Sequence, residues 1–133
     1  MKRRDMAVLA LVASAFAAAC GAVEAADPGV RLVDVTEASE LLAAGDRIVI
    51  DVRTPQEFAE GRLAGARMID IQSPGFADEI GGLDPDASYI VYCRTANRSA
   101  GARQLMTELG FRDVVDIAGG VVAWSAAGLP LEN

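Results

Sequence analysis

The segment at residues 91–100, VYCRTANRSA, places a cysteine where an apolar run ends and a polar, basic segment begins. A thiolate is a strong nucleophile, and a cysteine thiol with an ordinary pKa of about 8.5 is activated by arginines and helix N-termini. Backbone N–H groups of the loop after Cys93 could surround the sulfur, and a following helix would add the positive end of its dipole. The segment therefore predicts covalent chemistry by a thiolate at Cys93.

Histidine is absent from all 133 residues, which limits the mechanisms that the chain can use. A Ser-His-Asp triad or a Cys-His pair cannot be built, so the thiolate has to form without an imidazole base. A zinc site would have one thiol of the domain and otherwise carboxylates, which is poor ligation for zinc. We therefore expect neither a metal nor another cofactor.

The polar loop after the cysteine supplies further candidate site residues. Arg98 stands where the next helix begins, with its guanidinium either toward the loop, where it would help to hold an anion, or on a surface carboxylate. Arg94 either meets an anionic substrate at the entrance or is solvated. We expect Thr95 and Asn97 to serve the geometry of the turn and Ala96 to keep the entrance open, while backbone N–H groups contact the sulfur.

A second polar pair, Asp51 and Arg53, follows another buried strand. Because the carboxyl ends of parallel strands meet at one edge of a sheet, both side chains should reach the rim of the same site. We expect supporting, structural roles for them, in which Asp51 accepts hydrogen bonds from loop N–H groups or pairs with an arginine. A carboxylate that faced the thiolate directly would oppose its formation.

Alternating strands and helices are predicted to position these residues. Apolar, β-branched runs mark strands at residues 30–35, 47–52, 67–71, 89–92 and 114–117. Helices are predicted from the Thr36 cap to residue 44, from the Thr54 cap to Gly61, and at residues 73–82, 99–109 and 121–127. This order predicts a three-layer α/β domain with a mostly parallel sheet flanked by helices.

The first 25 residues have the basic, apolar and small-residue order of an export signal. Ordinary cleavage would fall before Ala26. Alternatively, Cys20 would become the lipidated first residue of the mature chain, although Ala17 stands where lipoprotein signals usually have leucine. Retention as an uncleaved membrane anchor is the third outcome, and all three stay open. The expected location is the periplasm or cell envelope, with contact to a membrane only through this segment.

Removal of residues 1–25 takes away three basic and two acidic residues, so the net charge changes from −7 to −8. The remaining domain has no lysine, and its acidic surface argues against nucleic acid and anionic lipid as partners. Either cleavage leaves Cys93 as the single thiol of the folded domain, so no internal disulfide can form. An unpaired cysteine in an exported protein favours a reactive role.

Four motifs in a fixed order make the sequence similar to the rhodanese family. They are DVRTPQEF at residues 51–58, GRLAGA at residues 61–66, the Cys93 loop, and GGVVAW at residues 119–124. The resemblance covers residues 30–131 and looks like the small, single-domain, exported members. It implies a five-stranded parallel sheet and a persulfide on Cys93 that carries sulfur. Arg62 departs from the histidine that the family often has, which puts the anchoring of its loop in doubt.

Loop length implies which chemistry the family resemblance favours. Family members with six residues from cysteine to arginine are sulfurtransferases, whereas related phosphatases and arsenate reductases have one residue more, and residues 93–98 number six. The resemblance therefore implies transfer of sulfane sulfur from thiosulfate or a similar donor to cyanide or a thiol. A catalytically quiet binding module and a redox sensor with a reversibly oxidised thiol are the alternatives.

Overall fold

The computed structural model describes residues 28–133, in which strands and helices alternate. The strands are Gly29–Val33 (β1), Ile48–Asp51 (β2), Arg67–Met68 (β3), Ser88–Tyr92 (β4) and Asp113–Ile117 (β5). The helices are Val35–Ala44 (α1), Pro55–Glu60 (α2), Phe76–Gly81 (α3), Ser99–Glu108 (α4) and Gly120–Ala126 (α5). The predicted export signal, with Cys20 and both cleavage sites, lies outside the described residues and stays a prediction.

One five-stranded sheet joins the strands in the order β1, β5, β4, β2, β3. All four pairings are parallel, so the sheet is parallel throughout rather than mostly parallel. Parallel strands need crossover connections, and a helix lies in each of the four connections. The predicted α/β fold with helices around a five-stranded sheet is confirmed.

Apolar side chains fill both faces of the sheet. One buried cluster includes Ile80 of α3 with Ala102 and Met106 of α4, and we call this side the α3–α4 face. The other cluster includes Ala38 of α1 and Trp124 of α5, and we call it the α1–α5 face. The sheet is therefore covered on both sides, as the near-continuous apolar strands require.

The chain leaves the neighbouring strands β2 and β4 in opposite directions. From β2 the chain passes through α2 to β3 at one edge of the sheet. From β4 it passes through α4 to β5, in the direction of the opposite edge. At such a switch point the two connecting loops diverge and leave a crevice beyond the carboxyl ends of the strands. The loop that begins at Cys93 and the residues that follow Asp51 border this crevice.

The start of α1 differs from the prediction. Asp34, not Thr36, caps the helix, since its carboxylate accepts the backbone N–H of Glu37 at 2.8 Å. Thr36 lies inside the first turn. Both residue types are good N-caps, and the strand β1 ends early enough to give the position to the aspartate.

The third strand is also shorter than predicted, because regular pairing ends at Met68 rather than at residue 71. The N–H of Ile69 still donates to the carbonyl of Asp51 at 2.9 Å. The N–H of Ile71 donates to the Val52 carbonyl at 3.1 Å, out of the regular register, and the Asp70 carboxylate accepts the N–H of Gln72 at 2.8 Å in a turn. A turn residue inside the apolar run therefore ends the strand.

No helix within residues 28–133 is long and apolar enough to cross a bilayer.

Candidate active site

Cys93 directly follows the central strand β4 and points to the α3–α4 face. Side chains alternate along a strand, so Cys93 shares this face with Tyr89 and Val91. Its exposed fraction is 0%, and it packs with the apolar cluster beneath α4. The candidate nucleophile therefore lies at the predicted edge of the sheet but beneath the protein surface.

The Cys93 sulfur contacts Ser99, the first residue of α4. The backbone N–H of Ser99 donates to Sγ, and the thiol donates to the Ser99 hydroxyl oxygen, both at 3.4 Å. The Ser99 hydroxyl in turn donates to Oδ1 of Asp116 at 2.9 Å. The thiol is thus connected to a carboxylate by two consecutive hydrogen bonds.

Asp116 is a fully buried carboxylate on β5, next to Val91 of β4. Burial raises the pKa of Asp116 to about 6, although the Ser99 hydrogen bond and the charge of Arg103 act in the opposite direction. The Arg103 Nε atom lies 2.8 Å from Asp116 Oδ2. This carboxyl group therefore gains and loses its proton closer to neutral pH than an ordinary aspartate does.

The start of α5 holds the backbone of the Cys93 loop. The N–H of Val121 donates to the Cys93 carbonyl at 2.9 Å, and the N–H of Val122 donates to the Arg94 carbonyl at 3.1 Å. Gly120 lies directly against these carbonyls, because a Cβ atom built there would be 2.5 Å from the Arg94 carbonyl. The glycine at this position therefore lets the helix terminus approach the loop.

Ala96 sits at the turn of the loop with φ of 72°, and it is the one non-glycine residue with positive φ among residues 28–133. The left-handed region costs an L-residue about 1–2 kcal/mol, whereas glycine adopts it freely. Ala96, predicted to keep the entrance open, therefore also holds a strained backbone conformation at the turn.

Ala96→Gly is expected to raise the free energy of unfolding by about 0.5–1 kcal/mol, because the relieved strain exceeds the extra entropy of glycine in the unfolded chain. Urea unfolding measures the change. Ala100→Gly is the matched control, since Ala100 lies in the first turn of α4 and its change to glycine should destabilise the fold. Equal changes of the same sign in both variants would contradict strain at Ala96.

Arg98 pairs with Glu57 rather than reaching over the loop. Its two terminal nitrogens donate to the two Glu57 carboxylate oxygens at 2.7 Å and 2.8 Å. Glu57 is itself placed by a capping box, in which its N–H donates to the Thr54 hydroxyl and its carboxylate accepts from that hydroxyl. Of the two placements predicted for Arg98, the structure has the one on a carboxylate, and the pair joins the start of α4 to α2.

The Arg98 hydrogen bonds lower the pKa of Glu57 to about 2. The ionised carboxylate therefore stabilises the folded state at neutral pH, and this contribution is lost as the pH falls from about 4.5 to about 2. Glu57→Gln is expected to lower the free energy of unfolding by about 1–2 kcal/mol at pH 7 and by much less near pH 2. Urea unfolding across this range measures the difference.

Glu60→Gln is the control for that variant, since Glu60 is an exposed residue of the same helix. It should leave the stability unchanged at every pH. A Glu57→Gln effect that stays constant down to pH 2 would show that the ion pair does not stabilise the fold.

Asp51 and Arg53 form a buried ion pair on the opposite side of the sheet from the Cys93 side chain. Arg53 donates to Asp51 through Nε at 2.9 Å and through Nη2 at 2.6 Å, and Nη2 also donates to the Gly61 carbonyl at 2.6 Å. The guanidinium lies over the Tyr92 ring, whose side chain belongs to the α1–α5 face. Asp51 therefore pairs with an arginine, one of its two predicted roles, and the pair anchors the chain after β2.

The remaining loop side chains face solvent. Arg94, Thr95 and Asn97 are exposed, and the Arg94 side chain makes no hydrogen bond or ion pair with any residue that the structure describes. A cavity of about 220 Å³ opens beside Arg94, and its lining includes Arg53, the two carboxylates of Glu57 and Glu60, and Val121. Cys93 does not line this cavity, which therefore neighbours the thiol without reaching it.

Sequence reasoning missed the two residues that connect to the sulfur, Ser99 and Asp116. Within residues 28–133, no group of three or more His, Cys, Asp or Glu side chains is arranged to hold a metal ion. The thiol is instead hydrogen-bonded to the Ser99 hydroxyl, and that hydroxyl is hydrogen-bonded to the Asp116 carboxylate.

Comparison with known proteins identifies the family. The model of the rhodanese-like domain matches residues 34–127. The chain belongs to the rhodanese family. Thiosulfate sulfurtransferase 16, a chloroplastic protein of Arabidopsis thaliana, is 36% identical over 108 residues, which cover 74% of this chain and 89% of that protein. The thiosulfate sulfurtransferase GlpE of Pseudomonas putida is 39% identical over 90 residues, covering 68% and 80%.

A solved structure supports the same family. The crystal structure of a rhodanese-related protein from Thermoplasma volcanium matches with a TM-score of 0.69 and 30% identity, covering 77% of this chain and 97% of that one. The resemblance inferred from the four motifs is confirmed. The family includes proteins named as sulfurtransferases, and this rhodanese-like domain has a cysteine at the start of its loop.

In this rhodanese-like domain, Arg62 contacts a neighbouring ring through its side chain and the C-terminal segment through its backbone. Its guanidinium lies over the Phe58 ring, with 4.5 Å from Cζ to the ring centroid. Its backbone exchanges two hydrogen bonds with Glu132, at 2.9 Å and 2.7 Å. The loop after α2 is therefore anchored at its backbone by the C-terminal segment, which does not depend on the side chain at position 62.

Proposed function

We propose that this rhodanese-like domain is a thiosulfate sulfurtransferase. The Cys93 thiolate attacks the outer sulfur of thiosulfate or a similar donor, sulfite leaves, and a Cys93 persulfide remains. Cyanide or a thiol acceptor then takes the outer sulfur and releases the thiolate. The observation that carries this proposal is the position of Cys93, which begins a six-residue loop at the carboxyl edge of the sheet in a family with named sulfurtransferases.

Entry of the donor requires movement of the loop, because Cys93 has no exposed surface. The Arg94 side chain favours an anionic donor, because its positive charge is exposed and has no ion-pair partner among the described residues. The cavity beside it, about 220 Å³, has room for a small anion or acceptor next to the loop. We infer that substrates enter from this side, and that neither nucleic acid nor a metal takes part.

A redox-sensor function has less support than sulfur transfer. Sensor cysteines are accessible thiolates, whereas the Cys93 side chain is buried beneath α4. Both functions need the loop to open, but burial also protects a persulfide from other thiols until an acceptor reaches the opened loop, which favours sulfur transfer.

Intact mass spectrometry of the full chain tests the proposed function. Treatment with thiosulfate should add one sulfur atom to the protein, and cyanide should then remove it, as expected for a covalent intermediate. Absence of any gain on a chain with a reduced Cys93 would overturn the proposal and favour a catalytically quiet binding module.

We also propose that the chain is exported to the periplasm or cell envelope, on the basis of the N-terminal charge and apolar pattern. The starting mass of the protein from a native envelope fraction tests this. A chain beginning at Ala26, a lipidated chain beginning at Cys20 and an uncleaved precursor have different masses. Recovery of the uncleaved chain from the soluble cytoplasm would overturn export.

A further inference from the structure

We propose that Asp116 accepts the proton of the Cys93 thiol through the hydroxyl of Ser99 and so generates the nucleophilic thiolate. This role deepens the sulfurtransferase function and rests on it. Ser99 touches the reacting sulfur, whereas Asp116 acts through Ser99 and is a positioning residue. The chain has no histidine that could serve as the base instead.

The direction of the hydrogen bonds supports this transfer. A serine hydroxyl has one proton, and that of Ser99 points to Asp116 Oδ1 at 2.9 Å. Its oxygen is consequently free to accept the thiol proton at 3.4 Å. Each donor in the series thiol, hydroxyl and carboxylate thus already faces its acceptor. All three side chains are fully buried, so bulk water does not compete for these protons.

The protons and electron pairs balance without an external base. The S–H bond of Cys93 breaks as its proton moves to Ser99 Oγ, while the original hydroxyl proton forms an O–H bond on Asp116. The Ser99 hydroxyl and N–H then both donate to the thiolate. Its electron pair forms the new S–S bond with the outer sulfur of thiosulfate, and sulfite leaves with the pair of the broken S–S bond. When an acceptor takes the sulfur, the released thiolate recovers the proton from Asp116.

The charged groups around this series leave Asp116 as the available base. Arg103 of α4 faces Asp116 and keeps it ionised at rest, with 2.8 Å between Nε and Oδ2. The charge of Arg98 acts on Cys93 from the start of α4, but its guanidinium is held by Glu57. Asp51 lies on the α1–α5 side and is paired with Arg53.

The buried environment of Asp116 also favours its holding the transferred proton during the reaction. Because burial raises the pKa of Asp116 to about 6, its proton affinity is higher than that of an exposed aspartate. Proton transfer within the buried series changes no net charge. A solvated carboxylate would accept a thiol proton much less readily.

The pH dependence of two rates tests the role of Asp116. The full chain carries Cys20→Ala, which leaves Cys93 as the sole thiol. One rate is single-turnover persulfide formation from thiosulfate, and the other is alkylation by iodoacetamide, which needs the thiolate but no sulfur transfer. Both wild-type rates should rise to an inflection near pH 6 and then stay within about twofold up to pH 8. Internal transfer supplies a constant thiolate fraction in this range, and the negative charge of Asp116 opposes direct loss of the thiol proton to solvent.

Asp116→Asn should remove that inflection and plateau. The thiol then loses its proton only to solvent, so both rates should rise by about tenfold per pH unit until the thiol ionises. Ser99→Ala should lower the plateau, since it removes the hydroxyl that connects the thiol to Asp116 and donates to the thiolate, while Asp116 stays charged. The double variant should be no slower than either single variant, because the two residues act as one unit. Ser99→Ala also keeps the test decisive where Asp116→Asn does not fold.

Asp113→Asn is the matched control. Asp113 is a mostly buried carboxylate on the same strand, and it is held by Arg47 at 2.8 Å, but it lies at the far end of β5 from Cys93. This variant should lose stability and keep the wild-type pH profile.

Two kinds of failure are distinguishable. A wild-type plateau in both Asp116→Asn and Ser99→Ala would overturn the proton transfer, even where persulfide forms normally. Absence of persulfide in the wild type would overturn the sulfurtransferase function alone, since the alkylation profiles would still report whether Asp116 deprotonates the thiol.

Discussion

Cys93→Ser is expected to abolish sulfur loading and sulfur transfer while the domain stays folded. A hydroxyl is a far weaker nucleophile than a thiolate at neutral pH, so we expect transfer to fall by at least about a thousandfold. Serine is slightly smaller and still hydrogen-bonds Ser99, so the free energy of unfolding should fall by only about 1–2 kcal/mol. Intact mass after thiosulfate, a cyanide-coupled rate and urea unfolding measure the three quantities.

Cys20→Ala is the matched control, because it removes the other cysteine of the chain. This variant should gain and lose one sulfur atom as the wild type does. Sulfur transfer retained by Cys93→Ser would contradict the assignment of the nucleophile. Loss of transfer that accompanied an unfolded chain would place Cys93 among the structural core residues instead, in keeping with its apolar neighbours.

Local patterns were sufficient to predict the elements and the position of the nucleophile. The β4 run is apolar and β-branched, and Cys93 follows it, so the cysteine had to lie at the carboxyl edge. The capping box at Thr54 and Glu57 was equally readable, because its partners are three residues apart. The contact of Glu57 with Arg98 could not be predicted from a local pattern, since it joins positions 41 residues apart in the chain.

The face of the sheet decides which carboxylate serves the thiol. Asp51 and Asp116 both lie near the carboxyl edge, and only alternation along the strands separates them. Asp116 shares the α3–α4 face with Cys93, whereas Asp51 turns toward Tyr92 on the other side. An acid inside the buried run VVDI needs a polar partner, and this was the available signal for Asp116.

Gly120→Ala is expected to have the largest effect on stability. Gly120 has φ of 57°, and its new Cβ would lie 2.5 Å from the carbonyl carbon and oxygen of Arg94 and from the Cys93 carbonyl oxygen. These are backbone atoms, so the loop or the start of α5 has to move. That movement breaks the hydrogen bonds from Val121 and Val122 to the loop. We expect a loss of about 3–5 kcal/mol, from steric overlap, positive φ and lost hydrogen bonds together.

Gly128→Ala separates the steric contact from the backbone conformation. Gly128 follows the same helix with φ of 74°, but a Cβ there would meet no atom within 4 Å. It should therefore lose only the conformational part, about 1–2 kcal/mol, and keep the rate of persulfide formation. Gly120→Ala should also slow persulfide formation by more than about tenfold, because a loop displaced by one ångström no longer places the thiolate and its donors correctly. Equal losses of stability and rate in the two variants would mean that the contact between α5 and the Cys93 loop is not what holds the nucleophile in position.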